Sequence, residues 1–334
     1  MSEATRQRLF DPSLTVEDPT TCAMVLGACG LLVVSGLVLA ALIRSGRVGD
    51  TKRRELWARW RTWIWLCLGL LAPLALGAAW FVGGVVVLSL LCYREYARAT
   101  GLFREKRLSA AIVLGILVQG FAVLDHWYHF FVALTPIVVC FLAAVAVTSD
   151  RPKGYIQRVA LAVLGYLLFG AGLLHLAYLG NDVAYRKIVI WLFSAVALGD
   201  VFAYITGHLF GRRPLAPNTS PNKTLEGAMG GIVLTTAYTV GLGFVVFEGT
   251  PMGAVGPLVF AGVLLSTAGL LGDLVLSSIK RDLGLKDLGT ALPGHGGWLD
   301  RFDSLVLSVP AAFHLLYYVM DLGAADTRIF TGGG

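Results

Sequence analysis

Residues 63–93 read WIWLCLGLLAPLALGAAWFVGGVVVLSLLCY, a run of 31 residues without a charged side chain. About 20 apolar residues cross the hydrocarbon core of a bilayer, so this run is too long for one crossing and short for two. The segments on either side, 44–61 and 94–107, hold seven and five basic residues. Basic loops collect on one side of a membrane, which predicts that the run returns to the side it left, as two helices.

Composition places the whole chain in the same class. Of its 334 residues 56% are hydrophobic and only 14% are charged, with a mean hydropathy of +0.73. An average soluble domain carries about 25% charged residues, so a soluble fold is excluded. The formal charge of +6 lies in short stretches between apolar runs, which indicates membrane topology and argues against nucleic-acid binding. The five cysteines show neither zinc-site nor disulfide-framework spacing.

The remaining apolar runs extend the pattern to an all-α, polytopic integral membrane protein with about ten transmembrane helices. The first run, 22–43, is too long for a signal-peptide core and is predicted to stay as a span. Besides the two helices in 63–93, we expect spans near 108–124, 128–148, 157–178, 188–210, 225–247, 256–278 and 303–320.

An external N-terminus puts 22 of the 27 basic residues on the inner side of this topology. Arg186 and Lys187 are the exceptions, and they leave an error of one span in the middle open. Polar residues inside or beside spans gather after about residue 199. We therefore expect a scaffold of about six spans over 1–187 and a transmembrane region over 188–334 that carries the function, with cytoplasmic loops.

The first polar constellation lies in VALGDVFAYITGHLFG, residues 196–211. An ionised Asp200 in such a run costs about 2.5 kcal/mol or more, and carboxylates at this depth usually mark functional sites. Tyr204, Gly207 and Gly211 share its helix face, and the glycines allow a close helix contact. The alternative is a packing face with one structural aspartate.

The next constellation is the loop GRRPLAPNTSPNKTLEG, residues 211–227, which three prolines stiffen. Ser220, Lys223 and Thr224 offer a charge and hydroxyl donors to a phosphate. Thr224 also reads as a helix start, with Glu226 in the first turn, where its charge opposes the helix dipole. A capping role for Glu226 therefore stands beside a catalytic one.

A polar stripe follows in GDLVLSSIKRDLGLKD, residues 272–287. Asp273, Ser277 and Lys280 fall at i, i+4 and i+7 of an apolar helix, where Asp273 can hold a hard cation and Lys280 a phosphate. The alternative is an intrahelical Asp–Lys pair, but two turns separate these residues by roughly 10 Å. A ligand shared by both charges is the favoured interpretation.

The last constellation is PGHGGWLDRFDS, residues 293–304, with His295 in a glycine-flanked turn. Asp300 and Asp303 are three apart, so in a helix both carboxylates reach one ion, and Mg²⁺ prefers one or two carboxylates plus phosphate oxygens. Alternatively, Asp300 caps the last helix and Asp303 lies in its first turn.

Together, residues 277–303 resemble the signature of the phosphatidate cytidylyltransferases, the CDP-diacylglycerol synthases. The D-x-x-A-Y-x-x-G-x-x-x-G element from Asp200 and the S-P-x-K-T-x-E-G element from Ser220 also look like this family, and YREYARATG at 93–101 is similar to a weaker element. Many members carry Glu in place of Leu276 and an aliphatic residue in place of Trp298. Every polar position of the signature is filled, by Ser277, Lys280, Arg281, Lys286, Asp287, His295, Asp300, Arg301 and Asp303.

The resemblance implies roles for these residues. It implies Asp273, Asp300 and Asp303 as ligands of Mg²⁺, with Mn²⁺ and an additional monovalent cation left open. Phosphate-binding candidates are Ser220, Lys223, Thr224, Ser277, Lys280, Arg281, Lys286 and Arg301. The catalytic set comprises Asp273, Lys280, Asp287, His295 and Asp300, in which Asp287 and His295 orient loops or handle protons. Asp200, Tyr204 and Glu226 support the site.

The implied reaction is the attack of a phosphatidic acid oxygen on the α-phosphorus of CTP, which yields CDP-diacylglycerol and pyrophosphate. The implied setting is a bacterial inner membrane with catalytic loops facing the cytoplasm, and the family suggests a homodimer. A CTP-dependent polyprenol kinase is the alternative enzyme. A cation- or proton-coupled transporter is more distant, because the polar residues crowd one membrane face and no internal repeat is visible.

Overall fold

The computed structural model describes residues 3–45, 49–292, 296–320, 322 and 328–332. Within them the chain is helical apart from one two-stranded hairpin, in agreement with the predicted all-α class. The helices are α1 (Glu3–Phe10), α2 (Leu14–Glu17), α3 (Pro19–Arg44), α4 (Asp50–Leu76), α5 (Ala78–Ala99), α6 (Lys106–Leu124), α7 (Tyr128–Val147), α8 (Tyr155–Gly165), α9 (Leu173–Leu179), α10 (Tyr185–Phe210), α11 (Leu225–Val246), α12 (Val255–Asp282), α13 (Leu299–Phe302) and α14 (Leu305–Met320).

The run at 63–93 does divide into two helices, and Gly77 is the point of division. Its φ of 131° is one that side chains other than glycine rarely adopt, and a Cβ there would also collide with the backbone of Leu9. Pro73, by contrast, lies inside α4 without ending it. The basic segment and the first half of the run therefore form one helix, α4, and α5 returns from it.

The first span begins slightly before its predicted start. Asp18 caps α3 by accepting hydrogen bonds from the amides of Thr20 and Thr21, at 3.3 and 3.2 Å, and Pro19 follows at the first helical position. Trp60 of α4 packs on α3 at Gly36, where a Cβ would meet the indole ring. Within α3, Thr21 and Gly36 are buried, and the rest of this helix is exposed or half-buried.

The connections between helices lie on two opposite faces of the protein, and long-range hydrogen bonds and ion pairs join connections on the same face. On one face Arg8 donates to the carbonyl of Gly180 at 3.1 Å, and Arg186 donates to the carbonyl of Asp11 at 3.0 Å. Arg186 is thus a buried residue that anchors the N-terminal segment. Its position on the less basic face therefore has a structural reason and does not require a shift by one span.

The opposite face carries the more basic connections. There Arg151 pairs with Glu105 at 2.7 Å, and Arg281 donates to the carbonyl of Thr219 at 3.3 Å. We call this side the signature face, because the loop within the segment at 277–303 lies there.

Eight helical segments within the described residues are long and apolar enough to cross a membrane, and the chain is a multi-pass integral membrane protein. One of them joins α8 and α9 through a π-helical segment, Tyr166–Gly172. Two predicted spans remain. They correspond to α4, which begins with basic residues, and to α14, which is shorter. The number ten therefore stays a prediction, as does the division of the chain near residue 187.

The C-terminal helices that hold the polar residues form one packed group. α10 lies against α11, α11 against α12, and α12 against α14. Between α10 and α11 the predicted proline-rich loop contains an antiparallel hairpin, β1 (Pro214–Ala216) and β2 (Ser220–Thr224). This hairpin was not predicted.

Candidate active site

The hairpin ends in the helix start that the sequence predicts. The Thr224 hydroxyl caps α11 by accepting a hydrogen bond from the amide of Gly227 at 3.1 Å. Glu226 accepts from the amides of Arg212 and Arg213 at 2.9 and 3.1 Å. Glu226 therefore fastens the base of the hairpin, which favours its structural interpretation over a catalytic one.

The glycines of α10 let the hairpin approach closely. A Cβ on Gly211 would lie 2.7 Å from the Thr224 hydroxyl oxygen, and one on Gly207 would lie 3.0 Å from it. Gly207 also makes the expected close helix contact, since a Cβ there would lie 3.4 Å from the Cα of Gly227 in α11. Tyr204 does not join it, because its side chain is 74% exposed and its ring stacks on His208 on the outer surface of α10.

Asp273 lies at the centre of the assembled motifs. Its Oδ2 atom is 2.5 Å from Lys223 Nζ of β2, and its Oδ1 atom accepts from the Ser277 hydroxyl at 3.1 Å. Asp273 and Lys280 are therefore not an intrahelical pair, since each has a partner from another element. The ion pair joins the loop before α11 to the polar stripe of α12.

Lys280 makes the second ion pair, with Asp300, and this one is more deeply buried. Lys280 Nζ lies 3.1 Å from Asp300 Oδ1, and the two side chains are 11% and 2% exposed. Asp300 Oδ2 accepts from the amides of Leu288 and Gly297 at 3.0 and 2.9 Å. Asp300 therefore organises the loop between α12 and α13 and does not cap α14.

Two further carboxylates, those of Asp200 and Asp303, lie beside Asp273 and share Ser304 as a donor. The Ser304 hydroxyl donates to Asp200 Oδ2 at 2.9 Å, and the Ser304 amide donates to Asp303 Oδ1 at 2.9 Å. Asp200, Asp273 and Asp303 are close enough for their negative charges to repel one another. Even so, no group of three or more His, Cys, Asp or Glu side chains in the described parts of the chain is arranged to hold a metal ion.

A small cavity of about 30 Å³ opens between α10, α11 and α12 beside these charges. Asp200 and Lys223 are its charged lining residues, and Ser266, glycines and aliphatic side chains form the rest of the wall. The charged groups thus stand where a polar face meets an apolar interior.

The other predicted residues lie around this centre. Arg281, Lys286, Asp287 and Arg301 are exposed, and Arg281 donates to the hairpin carbonyl of Thr219. Ser220 is half-buried in β2. His295 lies outside the described residues. Leu276, where many cytidylyltransferases carry Glu, is fully buried in the apolar core.

One residue at the site was absent from the sequence-based candidates. Glu95 of α5 is 9% exposed, and its Oε2 atom accepts a hydrogen bond from the amide of Leu299 at 3.0 Å. It comes from the region predicted to be scaffold. The YREYARATG element was the only signal that pointed to it.

Comparison with known proteins agrees with the motifs. The cytidylyltransferase family matches residues 57–319. Over 294 residues the chain is 32% identical to the uncharacterized protein YnbB of Escherichia coli K12, an alignment that covers 84% of this chain and 95% of that protein.

Two relatives carry the name phosphatidate cytidylyltransferase. The one from Helicobacter pylori 26695 is 39% identical over 171 residues, and the one from Mycobacterium leprae is 37% identical over 195 residues. These alignments cover 51% and 54% of this chain, and the chain spans 61% of the length of each relative. The matched segments and the shared motifs establish that this chain belongs to the cytidylyltransferase family.

Proposed function

We propose that the protein transfers the cytidylyl group of CTP to phosphatidic acid, giving CDP-diacylglycerol and pyrophosphate for phospholipid synthesis. The observation that carries the proposal is the ion pair between Lys223 and Asp273. It unites two separate motifs on the signature face, and Lys223 also lines the small cavity between α10, α11 and α12. A site of this kind can present a lipid phosphate to a nucleotide.

The reaction requires two polyanions to meet. An oxygen of the phosphatidate phosphate forms a bond to the α-phosphorus of CTP, and the bond from that phosphorus to the pyrophosphate oxygen breaks. Pyrophosphate leaves with the electron pair. Transfers of this type depend mainly on positioning and on neutralisation of charge.

Basic side chains of the chain supply that neutralisation. Lys223 and Lys280 each form an ion pair with an aspartate, and their ammonium groups lie at the centre of the site. We assign both to the phosphates, with the exposed Arg281, Lys286 and Arg301 at the rim. The hydroxyls of Ser220, Thr224 and Ser277 are further donors, and Asp287 and His295 orient the loop or accept a phosphate proton.

Carboxylate oxygens are the ligands that a hard divalent cation prefers, although the described carboxylates do not converge on one metal position. Lysine ammonium groups lie beside Asp273 and Asp300, so both carboxylates already face positive charge, and Asp303 lies next to Asp273. We propose that these three residues hold Mg²⁺, with Mn²⁺ as the substitute and a monovalent cation as an additional ion. A bound Mg²⁺ would neutralise charge on the triphosphate. Asp200 supports the arrangement through Ser304.

The proposed reaction also implies the membrane and the side of it on which the site lies. CTP is cytoplasmic, so the signature face looks into the cytoplasm and the protein resides in a bacterial inner membrane. Phosphatidic acid enters laterally from the lipid, with its head group at that face. A homodimer is the expected assembly.

The test is turnover by the purified protein in detergent with CTP, phosphatidate and Mg²⁺. We expect release of pyrophosphate together with a cytidylylated lipid, and loss of both with Asp273→Asn. A folded wild-type protein that makes neither product, or an Asp273→Asn variant that matches the wild type, would contradict the proposal. Product from a polyprenol in place of phosphatidate would favour the kinase alternative.

A further inference from the structure

The loop between α12 and α13 is held by carboxylates from two sides. Asp300 binds the amides of Leu288 and Gly297 from within the signature segment. Glu95 binds the amide of Leu299 from α5, a residue 204 positions away in the chain. The loop therefore closes against the N-terminal half as well as against its own segment.

The contact with Glu95 is shaped to this side chain. A Cβ on either Gly289 or Gly297 would come closer than 3.0 Å to the Glu95 carboxylate. A side chain at either position would therefore have to displace the Glu95 carboxylate. The Glu95 carboxylate thus lies against the loop backbone at Gly289 and Gly297, which we call the cradle.

Packing alone does not require a carboxylate at position 95. Its Oε1 atom is buried and has no hydrogen-bond partner among the described residues. Burying a carboxylate oxygen without a donor is unfavourable, and such groups in native proteins call for an explanation. An apolar side chain would fill the space without this cost, but it would offer the loop no acceptor.

The residues that this loop carries are those assigned to the substrates. Lys286 and Asp287 precede the cradle, and Asp300 and Arg301 follow directly after Leu299. Lys286, Asp287 and Arg301 are exposed, so the backbone of the loop must set their positions. The anchor at Leu299 is the contact nearest to Asp300 that comes from outside the signature segment.

We propose that Glu95 is a positioning residue of the reaction, which fixes the substrate-binding loop through the amide of Leu299. This inference rests on the proposed function for its kinetic test, and it extends the site into the region predicted to be scaffold. Glu95 acts through the loop and not on the reacting atoms.

The first test compares Glu95→Ala with Glu95→Gln in steady-state kinetics with CTP and phosphatidate. Glutamine keeps an oxygen that accepts from Leu299, so we expect its kcat/KM within about threefold of wild type. Alanine removes the acceptor, and we expect at least a tenfold loss that appears mainly in the KM for CTP, the scale of a buried amide left without an acceptor. Glu105→Ala is the matched control, because it removes a carboxylate from an exposed ion pair on the same face.

The second test uses the cradle itself. Gly297→Ala should impair activity when Glu95 is present and add little in a Glu95→Ala background, where the colliding carboxylate is gone. Gly241→Ala, whose Cβ would meet nothing within 4 Å, should be silent in both backgrounds. Additive losses from Glu95→Ala and Gly297→Ala would overturn the proposal.

A third measurement does not depend on turnover. Hydrogen exchange at the amides of 297–300 should be faster in Glu95→Ala, while the thermal unfolding midpoint stays near that of wild type. Unchanged exchange and unchanged KM in Glu95→Ala, or equal losses in Glu95→Ala and Glu95→Gln, would refute the role of Glu95. If the wild type makes no cytidylylated lipid, the proposed function fails, and the exchange measurement still decides the role of Glu95.

Discussion

Asp300→Asn is the substitution whose effect follows most directly from the contacts. Asp300 Oδ1 faces Lys280, and Oδ2 accepts from two backbone amides. An asparagine must turn its NH₂ group either toward the ammonium or toward the amides. In both orientations buried donors lose their acceptor, and the charge of Lys280 loses its partner.

The size of the effect follows from burial. With side chains only 11% and 2% exposed, the pair is shielded from water. Removing one partner of a buried ion pair costs about 3–5 kcal/mol, because the other charge stays buried and unpaired. We therefore expect Asp300→Asn to lower the free energy of unfolding by about this amount and to abolish activity.

The assay is denaturant unfolding of the purified protein in detergent micelles, in a double-mutant cycle with Lys280→Met. The double variant has no unpaired buried charge, so its loss should fall short of the sum of the single losses by about 0.5–3 kcal/mol. Asp287→Asn is the control, since Asp287 is an exposed carboxylate of the same loop. A loss below about 1 kcal/mol for Asp300→Asn, or additive single losses, would refute the reasoning.

Three further predictions concern other parts of the molecule. Lys223→Met should lower kcat/KM for CTP at least tenfold, the effect of about 1.5–3 kcal/mol expected for a lost charge-assisted contact, and steady-state kinetics measure it; an unchanged value removes Lys223 from the site. Gly211→Val should destabilise the protein by about 1–3 kcal/mol through collision with the hairpin, whereas Gly241→Val should not, as unfolding titrations would report. Arg186→Gln should speed proteolysis of the N-terminal segment, because the hydrogen bond to Asp11 is weakened, and equal cleavage rates would contradict that role.

The membrane architecture was largely predictable from the sequence. Runs without charge fix where helices cross, and the basic loops required 63–93 to turn back, as it does at Gly77. Hydropathy could not choose among the candidate turn positions, because the choice depends on the close approach of Leu9, which is distant in sequence. The cap at Thr224 was predictable, since capping depends on neighbouring residues.

The partners within the site were not predictable. Helical periodicity aligned Asp273 with Lys280, yet each pairs with a residue from another element, which only tertiary packing determines. Glu95 is separated from Leu299 by 204 residues and showed no chemical pattern of its own. Tyr204 shows the reverse case, in which a motif residue on the expected helix face points away from the site.

The fate of isotopic label from CTP tests cytidylyl transfer most directly. Purified protein is incubated with phosphatidate, Mg²⁺ and CTP labelled on either the α- or the γ-phosphorus, and lipid and aqueous products are separated. Label from the α-position should enter the lipid, and label from the γ-position should leave as pyrophosphate. Entry of the γ-label into the lipid would contradict cytidylyl transfer. So would a lipid that stays unlabelled with either form of labelled CTP.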